Sequence, residues 1–195
     1  MKNYKVIFLG SDSSGKTTLI KYTKKRLEED GKSVDVIFMG WRNFYNPILR
    51  FFSNIYLKQK ARKKVKEEKL ARYKSRSWVF YFIYYTELWL RYLKVLLSHK
   101  DFILMDRYFY DELMFAKGSK HRFFKLITPR PDIALILKVP LNILKKRGEN
   151  IKQQRLSNYY KYLDQIKGLC KTMKIDSSKP LNVIYRKIKL QLKNT

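Results

Sequence analysis

An α/β fold built on a parallel sheet follows from three features of the sequence. Val6-Ile7-Phe8-Leu9 is a short apolar run closed by Gly10, the length and composition of a strand buried on both faces. From Lys16 to Glu29, Leu19, Ile20, Thr23 and Leu27 fall on one helical face, and Gly31 follows where a C-cap glycine belongs. Val34 to Met39 supplies a second buried strand, and a strand, helix, strand unit of this length implies a right-handed parallel crossover.

The remaining elements extend the pattern. Residues 46–100 read as mostly helical, an insertion with a highly charged section from Lys58 to Arg76 and then an aromatic-rich helix from Trp78 to Leu97. Phe102 to Met105 is a third strand ending at Asp106, and Ile133 to Val139 a fourth, with Pro131 and Pro140 at its ends, where proline is tolerated. A short helix follows, with a lid expected over about residues 143–156. Asn150 to Lys171 reads as a further helix and Thr172 to Ile175 as a fifth strand. Pro180 opens a last helix whose Leu181, Ile184, Ile188 and Leu192 share a face. The result is a three-layer sandwich, a parallel five-stranded sheet flanked by helices. With no Gly-, Pro- or Ser-rich linker, residues 1–195 read as one domain.

Composition narrows the function classes. The chain has 195 residues, 45% hydrophobic and 31% charged, too apolar for a disordered polycation and too interrupted for a multi-span membrane protein. The run from Trp78 to Leu97 approaches membrane length but contains Glu87, Arg91 and Lys94, which a spanning helix would have to bury or pair at considerable cost. Cys170 is the lone cysteine and His99 and His121 the two histidines, which leaves no disulfide framework, no Cys-based zinc site and a reducing cytoplasm as the expected compartment. No signal peptide is read at the N-terminus. A net charge of +28 favours anionic partners without choosing among phosphates, nucleic acid and lipid headgroups.

Between the first strand and the first helix, Gly10-Ser11-Asp12-Ser13-Ser14-Gly15-Lys16-Thr17 matches the P-loop pattern at every fixed position. Its glycines let successive main-chain N–H groups curl around a phosphate, and the positive end of the following helix adds to the attraction. Lys16 is expected to reach the terminal phosphates of ATP and Thr17 to give its hydroxyl to Mg²⁺, with Thr18 completing the nucleotide-binding stretch. Asp12 is the unusual member, because an acid inside an anion-holding loop costs electrostatic energy. It either accepts a hydrogen bond from a substrate hydroxyl, helps position the metal, or caps the loop through an Asx interaction.

Asp106-Arg107-Tyr108 falls at the C-terminal end of the third strand, where open α/β sheets bind their ligands. An Asp there can hold Mg²⁺ directly or through water, and Arg107 can clamp a second phosphate with two N–H donors.

Four segments in order along the chain resemble the thymidylate kinase-like group of P-loop nucleoside monophosphate kinases. They are Phe8 to Thr18, Asp106-Arg107-Tyr108, Pro131-Asp132 with the strand running on through Val139-Pro140 to Arg147, and Ile175-Asp176-Ser177-Ser178. Relatives that phosphorylate thymidylate usually carry a Glu shortly before the first P-loop glycine and an Arg-Glu-Pro-Gly stretch after the second strand. Leu9 and Met39-Gly40-Trp41-Arg42 stand there in this chain. The resemblance implies transfer of the ATP γ-phosphoryl group to a nucleoside monophosphate or other small phosphorylated acceptor. In that scheme Lys16 and Mg²⁺ neutralise the donor, Arg42, Asp106, Arg107 and Tyr108 bind the acceptor, and Arg147 with Arg155 closes from the lid. It is compatible with a homodimer and implies no other protein partner.

Other readings stay open at this level. Arg147 and Arg155 also fit a solvated basic helix, and Phe80, Tyr81, Tyr84, Tyr85, Trp89 and Tyr92 at helical spacing suit a core stripe. The basic Lys58 to Lys69 run suits a solvated helix face first, and with the net charge it leaves as the alternative an ATPase that binds nucleic acid or an anionic membrane surface.

Overall fold

The computed structural model describes residues 3–40, 44–47, 49–51, 78–114, 118–149 and 151–193. The basic section from Lys58 to Arg76, and Arg42 with it, lie outside the described residues. The chain divides into two compact units, one made of Met1–Phe38, Ser98–Tyr108 and Pro129–Thr195, the other of Met39–Leu97 and Phe109–Thr128.

The first unit holds the whole sheet. Its strands are β1 (Tyr4–Leu9), β2 (Val34–Phe38), β3 (Phe102–Asp106), β4 (Ile133–Lys138) and β5 (Lys171–Asp176), all parallel, in the order β2-β3-β1-β4-β5. The run Val6 to Leu9 is fully buried, as its apolar composition requires of a central strand. In sequence β2 follows β1, but in space β3 lies between them, so β2 is an edge strand. Val36 and Phe38 are accordingly exposed, which corrects the expectation of a second buried strand. Apolar content alone does not distinguish an edge strand from an inner one.

Helix α1 (Lys16–Glu29) turns Leu19, Ile20, Thr23 and Leu27 inward. It ends in two bonds that close a Schellman turn, Lys32 N–H to Leu27 O at 3.0 Å and Gly31 N–H to Glu28 O at 3.0 Å, with Gly31 at φ 76°. Leu19, Ile20 and Leu27 join Val6, Phe8, Leu104, Leu135, Ile175, Ile184 and Ile188 in the main core. The last two come from the C-terminal helix (Leu181–Lys193), whose Leu181 and Leu192 pack partly buried against the same core. The helix expected from Asn150 to Lys171 is shorter, Gln153–Gln165 with a 3-10 turn at Ile166–Gly168, and β5 begins at Lys171.

The second unit is helical: α2 (Trp78–Leu97), α3 (Phe109–Leu113) and α4 (Ser119–Ile127). Tyr84, Tyr85 and Tyr92 on α2 are buried, and Tyr85 stacks on Phe124 at 4.1 Å between ring centres and contacts Phe109 at 5.6 Å. The aromatic stripe therefore packs as core at these positions, Trp89 at its margin contacting Phe109 at 5.9 Å. None of the helices among the described residues is long and apolar enough to cross a membrane.

Candidate active site

The site grows from the C-terminal edge of the sheet. β1 pairs with β3 on one side and β4 on the other, the switch point at which chains of open α/β sheets part and leave a crevice. The register sets Phe8 beside Asp106, and the Arg107 N–H continues the ladder to Phe8 O at 3.1 Å. Two residues beyond Phe8 the chain enters the loop Gly10 to Thr17, so Asp106 and the loop are brought to one place by strand pairing alone.

The loop itself is tightly specified. A Cβ built on Gly10 would lie 2.8 Å from Ser14 Oγ and 3.0 Å from the Leu137 carbonyl of β4, so only glycine fits between the loop and the sheet. Ser13 at φ 57° and Gly15 at φ 88° bend the main chain through the left-handed region. Lys16 is buried, its ammonium donating to Gly10 O at 3.0 Å and Ser11 O at 2.6 Å. The hydroxyls of Ser11 and Ser14 are buried within the loop without a hydrogen-bond partner among the described residues. Buried polar groups are nearly always paired, so two such hydroxyls in a loop of this curvature suit a polyanion that supplies acceptors.

The metal-binding expectation has a geometric counterpart. Thr17 Oγ1 donates to Asp106 Oδ2 at 3.2 Å across 89 residues of chain. A hydroxyl beside a carboxylate is a hard oxygen donor pair, which suits Mg²⁺, an ion normally bound through one or two protein oxygens together with substrate phosphates. Among the described residues no cluster of three or more His, Cys, Asp or Glu side chains is positioned to hold a metal ion.

Three further side chains meet the loop. Arg107, itself at φ 68°, forms an ion pair with Asp12. Arg147 Nη1 donates to Ser13 O at 2.9 Å, and Ser13 Oγ donates to Glu149 Oε2 at 3.3 Å. Both contacts come from one local device. The helix Leu141–Lys146 ends in a Schellman turn, with Glu149 N–H to Leu144 O at 3.0 Å, Gly148 N–H to Lys145 O at 3.0 Å and Gly148 at φ 81°. The turn delivers Arg147 and Glu149 to the same serine.

Of the expected site residues, Gly10 to Thr18, Asp106, Arg107 and Arg147 are thus gathered in one unit. Tyr108 is buried instead, its hydroxyl donating to Pro129 O at 3.0 Å, and Arg155 is exposed on the helix Gln153–Gln165. Glu149 stands two residues beyond Arg147 in the sequence, but its contact with Ser13 exists only in the folded chain.

A parallel sheet whose central strand runs into a phosphate-binding loop is the architecture of P-loop nucleotide-binding proteins. The family model described as "Thymidylate kinase" matches residues 8–188, and the chain belongs to that family, whose activity is ATP-dependent nucleoside monophosphate kinase-like phosphoryl transfer. In fold it is similar to the thymidylate kinase of Candida albicans, with a TM-score of 0.59 and 16% identity over 99% of this chain and 92% of that one. It is likewise similar to the thymidylate kinase of Ehrlichia chaffeensis, with a TM-score of 0.58 and 16% identity over 99% of each chain. No curated protein sequence matches the chain.

Proposed function

We propose that this kinase transfers the γ-phosphoryl group of ATP, with Mg²⁺, to the phosphate of a nucleoside monophosphate in the cytoplasm. The observation that carries the reading is the convergence of Lys16, the Thr17–Asp106 pair and Arg107 around one loop. An acceptor phosphate oxygen forms the new bond to the γ-phosphorus as the bond between that phosphorus and the ADP oxygen breaks. No general base is needed, because the attacking oxygen is already anionic. Thr17 and Asp106 would hold Mg²⁺, which when bound would supply charge neutralisation for the donor phosphates.

The chain's own residues do the rest by position and charge. The loop amides and the Ser11 and Ser14 hydroxyls grip the donor phosphates, and the Lys16 ammonium shifts from the loop carbonyls to the terminal phosphates. Arg107, steered by Asp12, holds the acceptor phosphate, with Arg42 assigned the same task by its place in the sequence. Arg147 reaches the loop from the lid, where a guanidinium offsets charge spreading in the transition state.

The Candida albicans relative is described as having broad substrate specificity. Because Leu9 and Met39 to Arg42 replace the stretches typical of thymidylate-specific relatives, the acceptor is best found with a panel. Wild-type protein and Lys16→Ala are assayed with ATP and Mg²⁺ over thymidylate and the other nucleoside monophosphates. The expected result is a diphosphate product from wild type and a loss of at least about 100-fold in kcat for Lys16→Ala. No diphosphate from any acceptor, or an unimpaired variant, would remove the reading.

A further inference from the structure

Ser13 stands at a bend of the phosphate loop with φ 57°, in the left-handed region that glycine enters without steric penalty and serine does not. A side chain in that conformation persists where its surroundings hold it there. Two contacts do so: Arg147 Nη1 donates to Ser13 O at 2.9 Å, and Ser13 Oγ donates to Glu149 Oε2 at 3.3 Å. A glycine would keep the first and lose the second.

The three serines of the loop thus divide. Ser11 and Ser14 are buried, with hydroxyls that have no partner among the described residues and suit a phosphate. Ser13 is exposed, and its hydroxyl is taken up from outside the loop by a carboxylate. A second acid beside a loop built for anions opposes donor binding, so phosphate affinity does not account for Glu149.

What Glu149 accounts for is the place of Arg147. The two flank Gly148 in one Schellman turn, so fastening Glu149 to Ser13 fixes the main chain from which Arg147 extends. Arg147 is exposed on a long flexible stem, and a lone hydrogen bond to a carbonyl leaves its guanidinium free to swing. With the turn anchored, Nη1 lies 3.8 Å from the point that a Cβ on Gly15 would occupy, against the loop.

We infer that Glu149 and Ser13 are positioning residues for Arg147, an inference that rests on the functional reading above. They act through the guanidinium, which offsets charge in the transition state, and so they set kcat and not the binding of either substrate.

Glu149→Ala removes the acceptor of this contact and Ser13→Gly its donor, and neither residue belongs to the core. Each variant is expected to lower kcat about tenfold while KM for ATP and for the acceptor stays within about threefold. The two together are expected to lose no more than either alone, and Glu149→Ala to lower kcat by less than about twofold once Arg147 is replaced by Ala. Glu149→Gln, which retains a carbonyl acceptor for the Ser13 hydroxyl, is expected to recover most of the loss. An unchanged kcat, a full further loss in the absence of Arg147, or Glu149→Gln as slow as Glu149→Ala overturns the inference. So does a fall in KM for ATP as the sole effect of Glu149→Ala, which would mean that the carboxylate acts by its charge alone.

Nitrogen-15 relaxation of the Arg147 Nε reads the positioning without turnover. An ordered side chain in wild type that becomes mobile in Glu149→Ala supports it, and equal mobility in both overturns it. A wild-type chain with Arg147 ordered but no phosphoryl transfer to any acceptor overturns the functional reading alone.

Discussion

Asp12, in the phosphate loop, and Arg107, just beyond β3, are joined as an ion pair although 95 residues separate them in the chain. The pair explains an acid in a loop built for anions: its charge is directed at an arginine. Asp12 is 68% exposed, so the pair contributes about 0–1 kcal/mol to stability. Asp12→Asn and Arg107→Ala are therefore expected to leave the urea midpoint almost unchanged while each lowers kcat/KM for the acceptor at least about tenfold. In a double-mutant cycle the two effects are expected to be strongly non-additive. Additive losses would mean that Asp12 acts without Arg107.

The Thr17–Asp106 contact of 3.2 Å leads to a metal prediction. Thr17→Val keeps the shape of the side chain and removes its hydroxyl, and Asp106→Asn removes the charge. Each is expected to raise the Mg²⁺ concentration for half-maximal turnover about 10–100-fold. A Mg²⁺ titration of the initial rate checks this, and curves that coincide with wild type would count against the assignment.

Gly10 has no room for a methyl group, since its added carbon would press on Ser14 Oγ and on the fixed carbonyl of Leu137. Gly10→Ala is expected to destabilise the fold by about 1–3 kcal/mol and to abolish nucleotide binding. Urea denaturation and a thermal-shift response to ATP measure the two effects separately. A Gly15→Ala variant meets no such crowding, its nearest neighbour being Arg147 Nη1 at 3.8 Å, but suffers from φ 88°. Its cost is expected to be about 1 kcal/mol.

Acid stability depends on a contact away from the site. Asp101 accepts the Ser33 N–H and the Ser33 hydroxyl, both at 2.8 Å, and these bonds, the main-chain one foremost, hold its carboxyl below the usual carboxylate range. The folded carboxyl titrates below its unfolded value. Its contribution is therefore complete above the unfolded pKa of about 3.9 and is lost as pH falls through the lower folded value. Ser33→Ala removes the hydroxyl bond, so the Asp101 titration is expected to move up toward 3.9 and the acid transition with it. NMR titration of the carboxyl carbon reads the first shift and circular dichroism the second.

How much of this molecule was legible in its sequence depends on the range over which each feature is specified. The loop Gly10 to Thr17 is written in eight contiguous residues, and α1 carries its own inward face and its own C-terminal glycine. The short helices α3 and α4 are not legible in it, because segments of five and nine residues are not stable by local propensity, and their helical state depends on aromatic packing such as Phe124 on Tyr85.

The sequence by itself determined the parallel α/β class, the phosphate loop and the family to which they belong, because those reside in local periodicity and contiguous motifs. Only the tertiary structure decided that β3 enters between β1 and β2, that Asp106 therefore meets Thr17, and that Arg107 meets Asp12. The same holds for Glu87 and Arg91, charges that interrupt an apolar run in the sequence: only the fold buries both, joins them as an ion pair and sets Glu87 against the Tyr45 and Asn46 amides. Strand order and burial are properties of long-range pairing, and the free energy that selects them is shared among residues far apart in the chain.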